Sequence, residues 1–338
     1  CLWMDTMTDE YLRFSADSVT NNKILDIFTY RTGHTHPFEE RTHHSKLMLT
    51  ALSLENSVHM AEAVLSTKSL PHELNALVAS KAEGNPFFVE EVVKSLQETG
   101  AIQISGDHYV LAKRLEEIFV PNTIQDVIMA RIDRLDEAPK KTLQLASVIG
   151  RAFTRQLLDR ITDLHDRSEH SLQVLQAVEL IYEKNLFHEL AYMFKHALTH
   201  DVAYGSLLMQ RRKELHRTIA LAIEELYADR LGEQYEVLAH HFICAENWMQ
   251  ALDYLLKSAE KALHSFANRE VIVLYDQALE VGARLGDAVD ITTLMSIREG
   301  KANAYLALSE FMHSHAEGQH LLALARRAKE PIKEGAAL

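Results

Sequence analysis

Arg31 stands at the end of a compact β-rich run, Lys23-Ile24-Leu25-Asp26-Ile27-Phe28-Thr29-Tyr30, and is followed by Thr32-Gly33. A guanidinium stays charged and forks onto phosphate or carboxylate oxygens. If the run is a buried strand, Arg31 lies at the carboxyl edge of an α/β sheet, where ligands bind in such folds. The plainer reading is a surface arginine ending a strand. A second place is Gly84-Asn85-Pro86, which leads straight into Phe87-Phe88-Val89-Glu90-Glu91-Val92-Val93. Gly84 permits a sharp turn, and Pro86 fixes one dihedral that suits the first turn of a helix. By itself this is a rigid loop-to-helix corner, and such corners are common. A proline ring also offers a flat apolar surface that asks for no hydrogen bond. The third place is His196, in Phe194-Lys195-His196-Ala197-Leu198-Thr199-His200-Asp201-Val202-Ala203-Tyr204-Gly205-Ser206-Leu207-Leu208. There the chain leaves a hairpin and starts a helix. Imidazole can donate to an anion, and its charge responds near pH 6.5. The alternative is a buried histidine satisfied by backbone.

Other chemistries find little support. The chain has 19 histidines, with clusters at His34 and His36, His43-His44 and His240-His241. None has the His-Glu-x-x-His spacing or a nearby set of Cys or Asp ligands, so no metal site is expected. Asp5, Asp9 and Glu10 suit the start of a solvated helix. Nothing resembles a nucleophile elbow, so no catalytic residue is expected. The basic run Gln210-Arg211-Arg212-Lys213 shares a helix with Leu207, Leu208, Leu215 and Ile219 and reads as its solvated face.

Composition bounds the class. The 338 residues suggest two or three domains, and 47% hydrophobic with 25% charged residues allows ordinary folded cores. Net charge is −13, from 35 basic and 48 acidic side chains, which disfavours a general nucleic-acid surface. Two cysteines, Cys1 and Cys244, give neither a disulfide framework nor a zinc site and suit a reducing cytoplasm. No apolar run reaches the roughly 20 residues of a membrane span.

Several elements must position these side chains. Lys23–Tyr30 and Lys46–Thr50 read as short strands, and Ser53 caps a helix running to Leu65. Residues 106–118 read as a hairpin turning at Gly106-Asp107. Pro121-Asn122-Thr123 opens a helix with Ile124, Val127, Ile128, Ile132 and Leu135 on one face. Further helices follow over Pro139–Ile149, Phe153–Ile161 and Leu172–Lys184. Two short strands, 186–189 and 191–194, then complete a winged-helix pattern. The apolar hairpin residues Leu186, Phe187, Tyr192 and Phe194 predict that this hairpin faces residues 53–118 rather than solvent. From about residue 235 the chain repeats helical hairpins. Trp248–Ala259 is echoed by Glu270–Leu279, with small alanines at intervals.

Gly84–Ile102, Val120–Phe153 and Phe194–Tyr227 together resemble the bacterial signal-transduction ATPases with numerous domains (STAND), a class of P-loop NTPases. The likeness is greatest to large members with tetratricopeptide-like repeats, often fused to class III adenylate or guanylate cyclases. The implied fold is mainly α. Residues 1–52 would be the C-terminal part of an α/β P-loop nucleotide-binding domain, and 53–118 its helical lid. Residues 119–210 would be a winged-helix domain and 211–338 tetratricopeptide-like repeats. Cys1-Leu2-Trp3-Met4-Asp5 resembles the stretch after the family's Walker B acids. That implies a fragment whose phosphate loop lies upstream, and no Gly-x-x-x-x-Gly-Lys-Ser/Thr occurs in the sequence. Glu334–Leu338 reads as stopping in mid-repeat.

The resemblance also implies roles. Arg31 would read the γ-phosphate, Pro86 would pack on adenine, and His196 would touch the β-phosphate of ADP. The family's Met-His-Asp triplet is not intact, since Lys195 and Ala197 flank His196. The implied cofactors are ATP or ADP with magnesium in the longer protein, with weak binding to this chain alone. The implied activity is an intracellular ATPase switch linked to cyclic-nucleotide synthesis. The implied partners are a protein or small-molecule signal on the repeats and self-association in the ATP state, with no membrane and no nucleic acid. Alternatives are a DNA-binding regulator using the winged helix and a non-catalytic repeat scaffold. The first is disfavoured by the acidic balance and by the absence of Arg or Lys from 186–194.

Overall fold

A computed structural model of the protein describes residues 6–19, 22–30, 44–67, 70–105, 108–112, 121–162, 168–186 and 189–329. The fold is mainly α. It divides into two compact units: residues 48–215, and residues 1–47 together with 216–338.

The first unit opens with three helices, α2 (Leu54–Val64), α3 (His72–Ala82) and α4 (Pro86–Glu98), and a hairpin of β1 (Ile102–Ser105) and β2 (His108–Leu111). Ser53 caps α2 as its sequence predicts, accepting from the Asn56 amide at 3.1 Å. One apolar face from each helix meets in a core of Ala61, Leu74, Val78, Val89, Val92, Val93, Leu96 and Ile102. The hairpin starts four residues earlier than expected, and the expected turn at 106–107 lies outside the described residues.

A second core follows within the same unit. It is built by α5 (Ile124–Asp133), α6 (Glu137–Ile149), β3 (Ala152–Thr154), α7 (Arg155–Ile161), α8 (Ser168–Ala177), β4 (Ile181–Leu186), β5 (Glu189–Phe194) and α9 (Ala197–Gly205). The strands form an antiparallel sheet in the order β3-β5-β4, with Phe153 opposite Tyr192 and Ile181 opposite Phe194. Two boundaries differ from expectation. Phe153 belongs to a strand, because Thr154 caps α7 by accepting from the Leu157 amide. Residues 181–184 are strand, because Glu179 adopts a left-handed backbone (φ 56°) and ends the preceding helix. Tyr192 and Phe194 are buried in a core shared with Ile128, Leu143, Leu158 and Leu172 of the preceding helices, and lie against Phe153 at ring distances of 5.8 and 6.1 Å.

The second unit includes α1 (Thr6–Val19), which holds Tyr11–Phe14 as expected. The strands expected at 23–30 and 46–50 do not form: Leu25, Ile27, Leu47 and Leu49 are exposed, and those residues carry no ladder. A parallel strand needs hydrogen-bonding neighbours on its flanks. Both sheets among the described residues are antiparallel and lie elsewhere.

The boundary between the units falls inside α10 (Met209–Leu226). A short 3₁₀ turn at Ala228–Glu233 leads into α11 (Tyr235–Cys244), α12 (Trp248–His264), α13 (Asn268–Leu285), α14 (Ile291–Ala307) and α15 (Phe311–Ala328). From α11 onward each helix packs on the next in chain order. Buried alanines at 251, 259, 278, 304 and 325 line the contacts, as the alanine spacing predicts. Gly300 permits a close approach: a Cβ there would stand 2.7 Å from the Tyr275 ring. No helix among the described residues is long and apolar enough to cross a membrane.

Candidate functional site

The corner before α4 is built by backbone demands. α3 ends at Glu83 in left-handed geometry, and Gly84 follows with φ +75°. The Gly84 carbonyl accepts from the Leu52 amide at 2.8 Å. A Cβ on Gly84 would meet the Leu52 carbonyl oxygen at 2.5 Å, so only glycine fits. Asn85 then caps α4, its side chain accepting from the Phe87 and Phe88 amides at 3.0 and 3.4 Å. Pro86 takes the first helical position with its ring exposed.

This corner meets the end of β5. The imidazole of His196 lies on the Phe87 ring, with centroids 3.9 Å apart and planes tilted by 38°. Of the sequence-predicted residues, His196 is therefore held against Phe87, the residue that follows Pro86. Arg31 lies outside the described residues.

The His196 Nε2 is buried and has no hydrogen-bond partner. The nearest carboxylate oxygen recorded for it, Glu90 Oε2, is 4.0 Å away, beyond hydrogen-bond reach. Burial holds the imidazole below its ordinary pKa, partly opposed by Glu90, so the ring is neutral at neutral pH. Around it runs a closed charge ring. Glu90 accepts from Lys94 at 2.6 Å and from Lys195 at 2.8 Å. Glu179 accepts from Lys195 at 2.5 Å and also from Lys94. The Lys195 and Lys94 ammoniums hold the Glu179 carboxyl down to about 2. For Glu90, burial pushes the pKa up, but hydrogen bonds from the same two lysines leave it lowered. Two cations and two anions balance, so the ring adds no net charge beside the imidazole.

A second polar layer lies farther along α4. Arg131 from α5 donates to Glu91 at 2.7 Å, to Glu98 at 2.5 and 2.9 Å, and to the Val178 carbonyl at 2.7 Å. Arg131 and Glu91 are almost fully buried. Arg134 adds bonds to Ser95 and Glu98. α4 thus presents two faces. Val89, Val92, Val93 and Leu96 enter its own core, and Glu90, Glu91, Lys94 and Glu98 grip the next one. The i,i+4 pair Glu90–Lys94 is readable in sequence. Glu179 and Lys195 escape such reading, because their partners lie 85 and 105 positions away.

The arrangement offers one chemical opening: a neutral imidazole held on an aromatic ring, with one buried nitrogen free to exchange a hydrogen bond with an incoming group. Among the described residues no group of three or more His, Cys, Asp or Glu suits a metal ion.

Against known proteins, residues 53–109 match a family described as a domain of unknown function, DUF8739. The chain is 22% identical over 246 residues to adenylate cyclase type 10 of Rattus norvegicus, covering 59% of this chain and 15% of that protein. It is also similar to a solved STAND protein with a tetratricopeptide repeat sensor from Pyrococcus horikoshii. That likeness has 12% identity and a TM-score of 0.38, over 86% of this chain and 43% of the other. The chain thus spans only part of the length of both.

Proposed function

We propose that this chain is the regulatory and sensing segment of a STAND-type ATPase switch in intracellular signalling. The observation that carries the reading is the contact of His196 with Phe87, directly after the Gly84-Asn85-Pro86 corner, and its buried, unpartnered Nε2. These are the residues to which the family resemblance assigns base and phosphate contacts. The residues present fit a nucleotide in one respect: Pro86 is exposed at the start of α4, and the next residue, Phe87, holds the imidazole of His196. In the longer protein, ADP or ATP with magnesium would supply the phosphate charge. Pro86 would offer an apolar face to the base. His196 would donate to a phosphate oxygen, and Arg31 would report the γ-phosphate. Residues 119–210 act as a winged-helix lever, a reading supported by the helix–strand–helix–helix–hairpin order and the β3-β5-β4 sheet. The helical repeats receive a protein or small-molecule signal. The match to adenylate cyclase type 10 supports cyclic-nucleotide synthesis as the output.

The test is His196→Ala in the longer protein, with ADP and ATP affinities measured side by side. A latch that favours only the ADP state shifts the equilibrium by its differential contact energy. One hydrogen bond to a charged phosphate contributes about 1.5–3 kcal/mol, so ADP affinity should fall about ten- to a hundredfold with ATP little changed. Equal losses with a lowered melting temperature would make His196 a packing residue and favour the non-catalytic scaffold.

A further inference from the structure

The corner between α9 and α10 holds two apolar side chains in water. Leu208 and Met209 are 80% and 71% exposed, although Leu215 and Ile219 farther along α10 are buried. The corner is tied in place. Arg212 donates to the Leu207 carbonyl at 2.9 Å and to the Gly205 carbonyl at 2.8 Å, and its guanidinium lies 4.6 Å from the centre of the Tyr204 ring. Gln144 of α6 donates to the Ser206 hydroxyl at 2.9 Å, and that hydroxyl donates to the Ala203 carbonyl at 2.6 Å. A partner that covers an already ordered corner loses little entropy in doing so.

Beside the corner lies a groove between α5 and α9. Val202 is buried along it, and Met129 and Leu198 are half-buried. Asp126 and Asp201 line the same groove and are exposed. Asp126 accepts from the Thr123 hydroxyl at 2.7 Å, and Asp201 lies 2.9 Å from His200 Nδ1. Neither carboxylate meets a lysine or arginine among the described residues. Gly205 leaves one end of the groove open, since nothing stands within 4 Å of a Cβ built on it. Leu208 is three residues from Gly205, at most about 11 Å by the reach of the chain. Its exposure means that it leaves the groove of its own chain unfilled.

We propose that this face binds a second copy of the chain about a two-fold axis. The Leu208–Met209 corner of each copy enters the α5–α9 groove of the other, and Arg211 meets the carboxylates of Asp126 and Asp201. Charge selects the occupant. The chain carries a net charge of −13, so two copies repel at long range and need a local match. The apolar corner runs into the basic stretch Gln210-Arg211-Arg212-Lys213, whereas the groove carries two acids. The Arg211 side chain is 58% exposed and bridges Glu214 at 3.2 Å, a surface pair that gives way to a better partner at little cost. Adjacency selects the symmetry. Corner and groove both belong to the unit of residues 48–215 and lie side by side, so one two-fold axis makes both contacts at once and assembly closes at two copies.

Sedimentation velocity of the whole chain over about a hundredfold range of concentration should show a reversible monomer–dimer equilibrium and nothing larger. Burying one leucine raises an association constant about ten- to a hundredfold, and a two-fold contact counts each side chain twice. Leu208→Asp should therefore weaken association at least about a hundredfold. Gly205→Met, which fills the groove from a position with open space, should act alike. Arg211→Glu leaves the apolar contact in place and should weaken association about tenfold. A mixture of Leu208→Asp and Gly205→Met chains retains one intact corner and one intact groove per mixed pair. Mixed dimers should form at the top of the range, where neither variant dimerises alone, and a variant that had merely lost its fold could not form them. A native chain that stays monomeric overturns the proposal, as does a dimer that survives both variants. Species larger than two, or a mixture that remains monomeric, would overturn it as well.

Discussion

Arg131 and Lys195 both tie α4 to the module that follows, but burial gives them different weights. Lys195 joins two carboxylates at partly exposed positions, where solvent screens the pair and each bridge contributes about 0–1 kcal/mol. Glu179, held at about 2, contributes stability that is fully present above its ordinary pKa and is lost as pH falls from about 4.5 toward 2. Lys195→Met should therefore cost under about 1 kcal/mol at pH 7 and still less at pH 3.5, as urea denaturation at the two pH values would read. A cost that grows in acid would mean the lysine acts by packing. Arg131 is a different case, since it and Glu91 are almost dry. Removing only the arginine leaves an uncompensated buried carboxylate, so Arg131→Met should cost about 3–5 kcal/mol. The double variant Arg131→Met/Glu91→Leu should recover a good part of that. A double variant as damaged as the single would show that the bonds from Arg131 to Glu98 and the Val178 carbonyl carry the cost instead.

α4 is the element on which the unit turns, and its start is set by one residue without a side chain. Gly84 needs both its positive φ and its open space against Leu52. Gly84→Ala should cost about 1–3 kcal/mol. It should also strip protection from the Leu52 amide, whose acceptor is the Gly84 carbonyl. Gly205, in α9 with nothing within 4 Å of its would-be Cβ, is the control: Gly205→Ala should gain about 0.5–1 kcal/mol. Thermal melts of the two variants should move in opposite directions. Elements of this kind were legible where the signal is local. Ser53, Thr123 and the Gly-x-Pro corner mark helix starts by capping chemistry alone, and the face Val127, Ile128, Ile132 is periodic enough to be read as core. The signal failed where the answer depends on pairing. Residues 23–30 have the composition of a strand but carry no ladder among the described residues. Phe153 reads as helix until β5 is available to pair with it. Of the candidate site, Pro86 and His196 could be named separately, but Phe87 and the charge ring between them depend on contacts over about a hundred residues that no local pattern carries.

At the scale of the whole molecule, the chain closes separate cores by different means. Residues 48–215 hold two apolar clusters linked through α4, a compact body in which long-range ion pairs join the parts. Residues 235–328 are a stack in which each helix meets its neighbours in sequence. Stability in such a stack is close to a sum of local terms and nearest-neighbour contacts, so damage stays near its source. Gly300 on α14 is a good place to inflict it. A methyl there would meet the buried Tyr275 ring at 2.7 Å, forcing α13 and α14 apart at a cost of about 1–3 kcal/mol. The next residue, Lys301, bridges Asp276 on α13 at 2.6 Å and Glu317 on α15 at 2.7 Å, so the same displacement loosens α15. Gly300→Ala should accordingly lower hydrogen-exchange protection across α13, α14 and α15 and less in α11. The amides of Val92, Leu143 and Phe194 should keep their native rates. If those core amides lose protection to the same degree, the two units unfold as one cooperative body and the nearest-neighbour account of the stack is wrong.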